Sequence, residues 1–139
     1  MNGSEGSLSS VQEGASASLT RTVTEEDVQS FSVATGDTNP VHLDPVAAAH
    51  SVFGRRVAHG MLSAGLISAV LGTQLPGPGT IYLSQSLRFR GPVYIGDTVT
   101  ASVVVTSVDS DRHQCVLATT VRNEAGELLL DGEARVRLP

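Results

Sequence analysis

Hydrophobic residues recur at two spacings along this chain, one typical of helices and one typical of strands. The longest apolar run, Met61 to Leu71, has no polar face when drawn as a helix. It begins after Gly60, and the PGPG segment that follows ends it. Because such a helix needs cover on nearly every side, we predict that it is central and buried. The run is about half the ~20 residues that cross a bilayer.

From Ile81 onward the spacing changes to two. Apolar and polar residues alternate over 81–90, 98–106 and 128–138, and residues 115–122 form another, more apolar run. The VDSDR and NEAG segments between them suit hairpin turns. This pattern predicts an antiparallel sheet with one face in water. Sheet and helix bury each other if the sheet wraps around the helix, which is an α+β hot-dog fold. Periodicity alone does not exclude another α+β roll.

The segment before the central helix combines helix starts with polar residues. Ser18–Val23 alternates weakly, which indicates a short strand. Thr24 begins TEED, a capping pattern for a helix of two to three turns that turns Val28 and Phe31 inward and ends at Gly36. The Asp44-Pro45 pair predicts a second, short helix to about residue 51.

Between these two helices lie a carboxylate and an imidazole, Asp37 and His42, five residues apart. Pro40 lacks a backbone donor and pushes Asn39 out of the α region, so we predict a loop of fixed shape rather than helix. Both side chains leave this loop near the glycine-led helix start. The pattern favours an acid/base site over a packing motif.

Length and composition limit the function further. The chain has 139 residues, enough for one domain, and we assign residues 17–139 to it and residues 1–16 to a disordered tail rich in Gly, Ser and acids. The net charge of −5 argues against a nucleic-acid or anionic-membrane partner. Cys115 is the single cysteine, so no internal disulfide forms. The tail does not read as a secretory signal, and we expect a cytoplasmic protein.

Two motifs carry a resemblance to a known family. DTNPVH at Asp37–His42 and HGM at His59–Met61 resemble the signature of MaoC-type (R)-specific enoyl-CoA hydratases. The likeness continues through GTQLPGPGTIYLSQSLRFRGPVYIGDTVTA, which is similar to the short bacterial members that supply polyhydroxyalkanoate synthesis. It covers residues 23–139. The resemblance implies a hot-dog fold, a homodimer, and reversible hydration of a trans-2-enoyl thioester to the (3R)-hydroxyacyl thioester.

The same resemblance implies roles for individual residues. By matching position, Asp37 and His42 form the catalytic pair and Asn39 supports their loop. Gly60 supplies an oxyanion N–H, and Ser68 lies near the reacting end of the acyl chain. We further expect the pocket floor at side chains of the central helix such as Leu71, where a bulky floor favours short acyl chains.

The chemistry of hydration agrees with these assignments. Water must add at C3, a proton at C2, and negative charge must collect on the thioester oxygen, where a helix N-terminus supplies a donor. No P-loop, Gly-rich nucleotide loop or nucleophile elbow occurs in the sequence, so we expect no cofactor beyond the CoA of the acyl-CoA substrate. Cations available for its phosphates are Arg55, Arg56, Arg88 and Arg90.

Other interpretations remain open. Asp37 and His42 taken singly are more often turn and packing residues. His59 is expected to orient the loop or cap the helix, and no histidine pair has zinc-type H-x-x-x-H spacing, so we predict no metal. Alternative functions are an acyl-CoA thioesterase on the same fold, which would release free thiol, and a non-catalytic acyl-thioester binding module.

Overall fold

The computed structural model describes residues 11–139. Its helices are α1 (Glu25–Thr35), α2 (Pro40–Leu43), α3 (Pro45–Ala49) and α4 (Gly60–Thr73). Its strands are β1 (Ser16–Thr22), β2 (Ile81–Gln85), β3 (Arg88–Phe89), β4 (Thr98–Asp109), β5 (Gln114–Asn123) and β6 (Leu128–Arg137). All strand pairs are antiparallel, and the strands lie in the order β1-β4-β5-β6-β2, with β3 also beside β6. None of these helices is both long and apolar enough to cross a membrane.

The inner face of the sheet packs against α4. In β4 the alternate residues are almost fully buried: Val99, Ala101, Val103 and Val105. They belong to one hydrophobic core with Ile67, Val70 and Leu71 of α4. Burying side chains of this size stabilises a fold by about 1.5–3 kcal/mol each. The predicted helix-on-sheet arrangement is therefore confirmed.

One face of α4 is not covered by residues 11–139. Met61, Gly65, Ser68 and Gly72 lie along one stripe of the helix at spacings of three and four, and all are exposed, Met61 at 55 %. The expectation that α4 is covered on nearly every side is wrong within residues 11–139. Small side chains leave a shallow surface there.

The strand predicted at residues 81–90 is interrupted. The alternation over residues 81–90 predicted one strand with a buried face, but the ladder breaks between β2 and β3 at residues 86–87. At this break the backbone of Ser86 crosses closely over Gly132 of β6. Ile81 is 54 % and Leu83 45 % exposed, so the apolar face of β2 stays uncovered at the edge of the sheet.

Residues 11–16 are part of the folded domain. Val11 is 7 % exposed, and Val105 of β4 exchanges backbone hydrogen bonds with the segment, donating to Ala15 and accepting from Gly14. The predicted disordered tail is therefore wrong for residues 11–16, because β4 extends far enough to pair with them. Residues 1–10 of that predicted tail lie outside the described residues.

Candidate active site

The end of α1 sets the position of Asp37. Gly36 adopts a positive φ of 79° and donates its N–H to the Ser32 carbonyl at 2.8 Å, which ends the helix. Asp37 follows with its N–H donated to Thr35 Oγ1 at 3.2 Å. One carboxylate oxygen accepts the N–H of Asn39 at 3.3 Å. The side chain is exposed, and its second oxygen has no hydrogen-bond partner among residues 11–139.

The segment after Asp37 is helical, which corrects the prediction of a loop there. Pro40 occupies the first position of α2, where a missing N–H costs nothing. Asn39 caps this turn by accepting the N–H of Val41 at 3.2 Å. The predicted support of the segment by Asn39 thus takes the form of a helix cap. One turn later the helix turns His42 inward, where it is buried.

His42 is held by one hydrogen bond from its ring and by another to its own backbone carbonyl. Its Nδ1 lies 2.7 Å from the Val57 carbonyl oxygen, and since a carbonyl only accepts, Nδ1 carries the proton. Nε2 is then the ring nitrogen left for a ligand. Arg56 donates to the His42 carbonyl at 2.7 Å and forms an ion pair with Glu25 at 2.8 Å. The hydrogen bond from Arg56 lowers the pKa of the Glu25 carboxyl below its usual value.

A cavity of about 470 Å³, which we call the His42 cavity, brings most of the predicted site together. Its walls include Asp37, Asn39, His42 and Gly60. Ligand atoms of Asp37, His42 and His59 all lie within 4.8 Å of one another. The acid/base pair expected from sequence therefore faces one space.

Gly60 lies at the edge of this cavity as the first residue of α4. A residue in that position has no acceptor for its N–H within the helix, and the helix dipole favours negative charge beside it. A Cβ built on Gly60 would lie 2.7 Å from the ring of Phe89. A larger residue at this position would therefore require the exposed ring of Phe89 to move.

A second space of about 660 Å³, the Ser68 cavity, lies on the exposed stripe of α4 and against β2. It shares Asp37 and Met61 with the His42 cavity. Ser68 lines this second cavity and not the first. Leu71 lines neither, because at about 100° per residue its side chain leaves α4 about a quarter turn from the stripe and enters the core.

Sequence reasoning missed two residues at the site. Met61 forms a wall common to both cavities, although its place in an apolar run suggested only core packing. Ser63 lines the His42 cavity, and its hydroxyl is buried without a hydrogen-bond partner among residues 11–139. A usable signal was its spacing of three from Gly60, which places both on neighbouring parts of the first helical turn.

The arrangement suits a bound water between the carboxylate and the imidazole. Two imidazoles and a carboxylate are also a donor set that divalent transition metals accept, so the expectation of a metal-free enzyme remains a prediction. Cys115 takes no part. It is buried in the core outside both cavities, and burial raises the pKa of its thiol to about 11.

Comparison with known proteins agrees with this geometry. Residues 7–126 match the MaoC like domain family. An (R)-specific enoyl-CoA hydratase of Rhodospirillum rubrum is 51 % identical over 129 residues, or 93 % of this chain and 89 % of the relative. The solved (R)-hydratase of Aeromonas caviae involved in PHA biosynthesis superposes with a TM-score of 0.91 at 45 % identity, over 94 % of this chain and 98 % of that one. The R-hydratase PhaJ1 of Pseudomonas aeruginosa gives a TM-score of 0.88 at 46 % identity, over 93 % and 83 %. With this fold, this site and these relatives, the chain belongs to the MaoC-like family.

Proposed function

We propose that this protein is an (R)-specific enoyl-CoA hydratase, a hydro-lyase that reversibly adds water to trans-2-enoyl-CoA and forms (3R)-hydroxyacyl-CoA. The observation that carries the proposal is the shared cavity of Asp37, His42 and the first N–H of α4. Similar proteins of R. rubrum and A. caviae bear the name of this activity.

The mechanism follows from the hydrogen-bonding state of the pair. With Nδ1–H bound to Val57, neutral His42 offers a lone pair on Nε2, and Asp37 offers a carboxylate oxygen. A water held between them is oriented for attack at C3 and loses one proton to the pair. A proton returns from the pair to C2, so one molecule of water is added in total. The Gly60 N–H stabilises the negative charge that builds on the thioester oxygen between these steps.

Turnover of crotonyl-CoA tests this function. We expect loss of the conjugated enoyl-thioester absorbance, a 3-hydroxybutyryl-CoA product of R configuration, and no free thiol. Release of free thiol would instead indicate the thioesterase alternative. Binding of crotonyl-CoA without any conversion would indicate the non-catalytic binding module.

The two cavities suggest how the substrate lies. We place the thioester in the His42 cavity and the acyl tail in the Ser68 cavity, because the two meet at Asp37 and Met61, beside the reacting carbons. Ser68 then lies near the start of the tail, as the family resemblance implies. Met61 separates thioester from tail, a role for which Leu71 lies too deep in the core.

CoA, the carrier of the acyl group, needs a cation for its phosphates. Four arginines are candidates for this contact, and they differ in their surroundings. Arg56 and Arg90 are held in ion pairs with Glu25 and Asp131. Arg88 lies directly opposite Asp131 in the antiparallel pairing of β3 with β6, and its side chain leaves β3 on the face opposite Phe89. Arg55 remains, with its guanidinium 3.9 Å above the Tyr94 ring, next to a wall of the His42 cavity at Phe53. We therefore assign the phosphate contact to Arg55.

The Arg55→Ala variant tests this assignment. We expect an increase of about tenfold in KM for crotonyl-CoA, the amount that one lost charge-assisted hydrogen bond costs. Crotonyl-pantetheine lacks the nucleotide phosphates, so its KM should not change. Arg88→Ala is the matched control and should leave both KM values unaltered. Equal losses on the two substrates would show that Arg55 acts on something other than phosphate.

We further propose a homodimer, formed through the face that residues 11–139 leave uncovered beside β2. β2 is a sheet edge with exposed Ile81 and Leu83, and it lies beside Met61, Gly65 and Ser68 of the α4 stripe, so the partner would close the Ser68 cavity over the acyl tail. An unpaired edge next to a contiguous apolar surface is typical of a protein interface. We also propose that the protein is cytoplasmic and that it supplies polyhydroxyalkanoate synthesis.

Light scattering during size-exclusion chromatography checks the dimer. The wild type should show twice the mass of the 14.4 kDa chain, and Leu83→Arg should shift the population toward the monomer. Val33→Arg on α1 is the control, because Val33 is an exposed aliphatic residue like Leu83 but lies outside this face. A monomeric wild type at micromolar concentration would contradict the proposal.

A further inference from the structure

His59 contacts both members of the proposed acid/base pair without being one of the reacting groups. It is 2 % exposed and directly precedes Gly60. Its ring stacks on the ring of His42 at 3.8 Å between centroids with 30° between planes, and Phe31 packs on it at 4.7 Å. Its Nε2 lies 3.0 Å from the carbonyl oxygen of Asp37. The side chain of His59 thus contacts both the acid and the imidazole, and its backbone leads directly into α4.

The hydrogen bonds of His59 are directed at the Asp37 backbone rather than at the helix. Since the Asp37 carbonyl only accepts, Nε2 carries the proton, and the Ser32 hydroxyl lies 3.1 Å from the same nitrogen. The side chain makes no capping bond to α4, although His59 is its N-cap residue. Of the two roles predicted from sequence, orienting the loop agrees with these contacts and capping does not.

Asp37 also donates its N–H to Thr35 and accepts the Asn39 N–H on its carboxylate, but neither of these bonds holds its backbone carbonyl. It is exposed and follows Gly36, whose positive φ is a conformation that glycine reaches easily. His42 is restrained at Nδ1 by Val57, but a single hydrogen bond leaves the ring free to tilt about it. The stacked ring of His59 removes that freedom.

We propose, building on the hydratase function above, that His59 is a positioning residue that holds the Asp37 backbone and the His42 ring in register with the first N–H of α4. Its donor at Nε2 fixes the acid, and its ring face fixes the imidazole. A displacement of about 1 Å in such a site lowers a rate by about 10²-fold. The effect should fall on kcat, because His59 holds the reacting groups rather than the carrier.

Three variants separate the two contacts. His59→Phe keeps a ring to stack on His42 and removes the donor. His59→Gln keeps an N–H donor near the position of Nε2 and removes the ring, and His59→Ala removes both. We expect kcat to fall about 10²-fold in the alanine variant and about tenfold in each of the others, with KM within about threefold. His50→Ala, at an exposed histidine that ends α3, should match the wild type.

A second readout does not depend on turnover. The Nδ1–H proton of His42, bound to Val57, should give a downfield NMR signal that broadens or shifts in His59→Ala and is preserved in His59→Phe. Circular dichroism identifies any variant that fails to fold. If the folded alanine variant keeps kcat within twofold of the wild type, or leaves the His42 signal unchanged, the positioning role is overturned. A wild type that never hydrates crotonyl-CoA would overturn the proposed function instead, and the NMR comparison would still decide the role of His59.

Discussion

Replacing Asp37 by Asn is expected to lower kcat for crotonyl-CoA hydration by about 10³-fold, since general acid–base groups contribute about 10²–10⁴. This corresponds to about 4 kcal/mol of transition-state stabilisation. The amide keeps the size of the carboxylate, and its oxygen can still accept the Asn39 N–H. What it loses is the ability to take a proton. Because the side chain is exposed, we expect an unchanged melting temperature and a KM within a few-fold of the wild type.

Asp111→Asn provides the matched control for this variant. Asp111 is an exposed aspartate in the turn between β4 and β5, outside both cavities, and its replacement makes the same change of charge. Wild-type kcat in the control together with the loss in Asp37→Asn would support the acid/base role. Retention of more than a tenth of kcat in Asp37→Asn would contradict it and favour a base elsewhere in the cavity.

The largest expected effect on stability comes from Gly132→Ala. A Cβ at this position would lie 1.8 Å from the Ser86 carbonyl oxygen and 2.7 Å from its carbon. These are backbone atoms, and they are held in place because Ser86 donates its N–H to Glu133 at 2.9 Å and accepts the Glu133 N–H on its hydroxyl at 3.0 Å. Relief of the clash requires loss of these bonds. We expect a reduction of about 3 kcal/mol in the free energy of unfolding, at the upper end of typical overpacking costs.

Urea unfolding followed by circular dichroism measures this change, with Gly72→Ala as the control. Gly72 lies in the last turn of α4, outside the Ser68 cavity, and a Cβ there meets no atom of residues 11–139 within 4 Å. The same chemical change should stabilise the protein by about 0.5–1 kcal/mol, because alanine favours helix over glycine. If Gly132→Ala cost less than 1 kcal/mol, the close crossing of the two strands would have to be wrong.

Much of the fold could be predicted because it depends on local pattern. The ends of α4 follow from Gly60 and the PGPG segment, and the alternation in β4 follows from which of its side chains face the core. The proximity of Asp37 and His42 was also predictable, because both residues lie within one short segment whose capping residues act locally. In each case the residues that decide the structure are close together in sequence.

The parts that could not be predicted depend on distant residues. The alternation over residues 81–90 continues through the break between β2 and β3, which is set by the approach of Ser86 to Gly132. Sequence likewise does not show that Met61 faces the cavities whereas Leu71 faces the core, because both are apolar positions of one helix. Pro40 excluded the helix interior but not a helix start, so α2 was missed.

Among residues 11–139 the two cavities share Asp37 and Met61, so with the substrate placed as proposed the protein would have a separate wall for each end of the substrate. The residues that would recognise the head of the substrate come from α2, the segment before α4 and β3, whereas those that would surround its tail come largely from α4 and β2. Sequence drift along β2 can therefore retune the range of acceptable tails while the reacting end stays as it is. For the same reason β2 could be redesigned to accept other acyl tails without changing the residues at the reacting end.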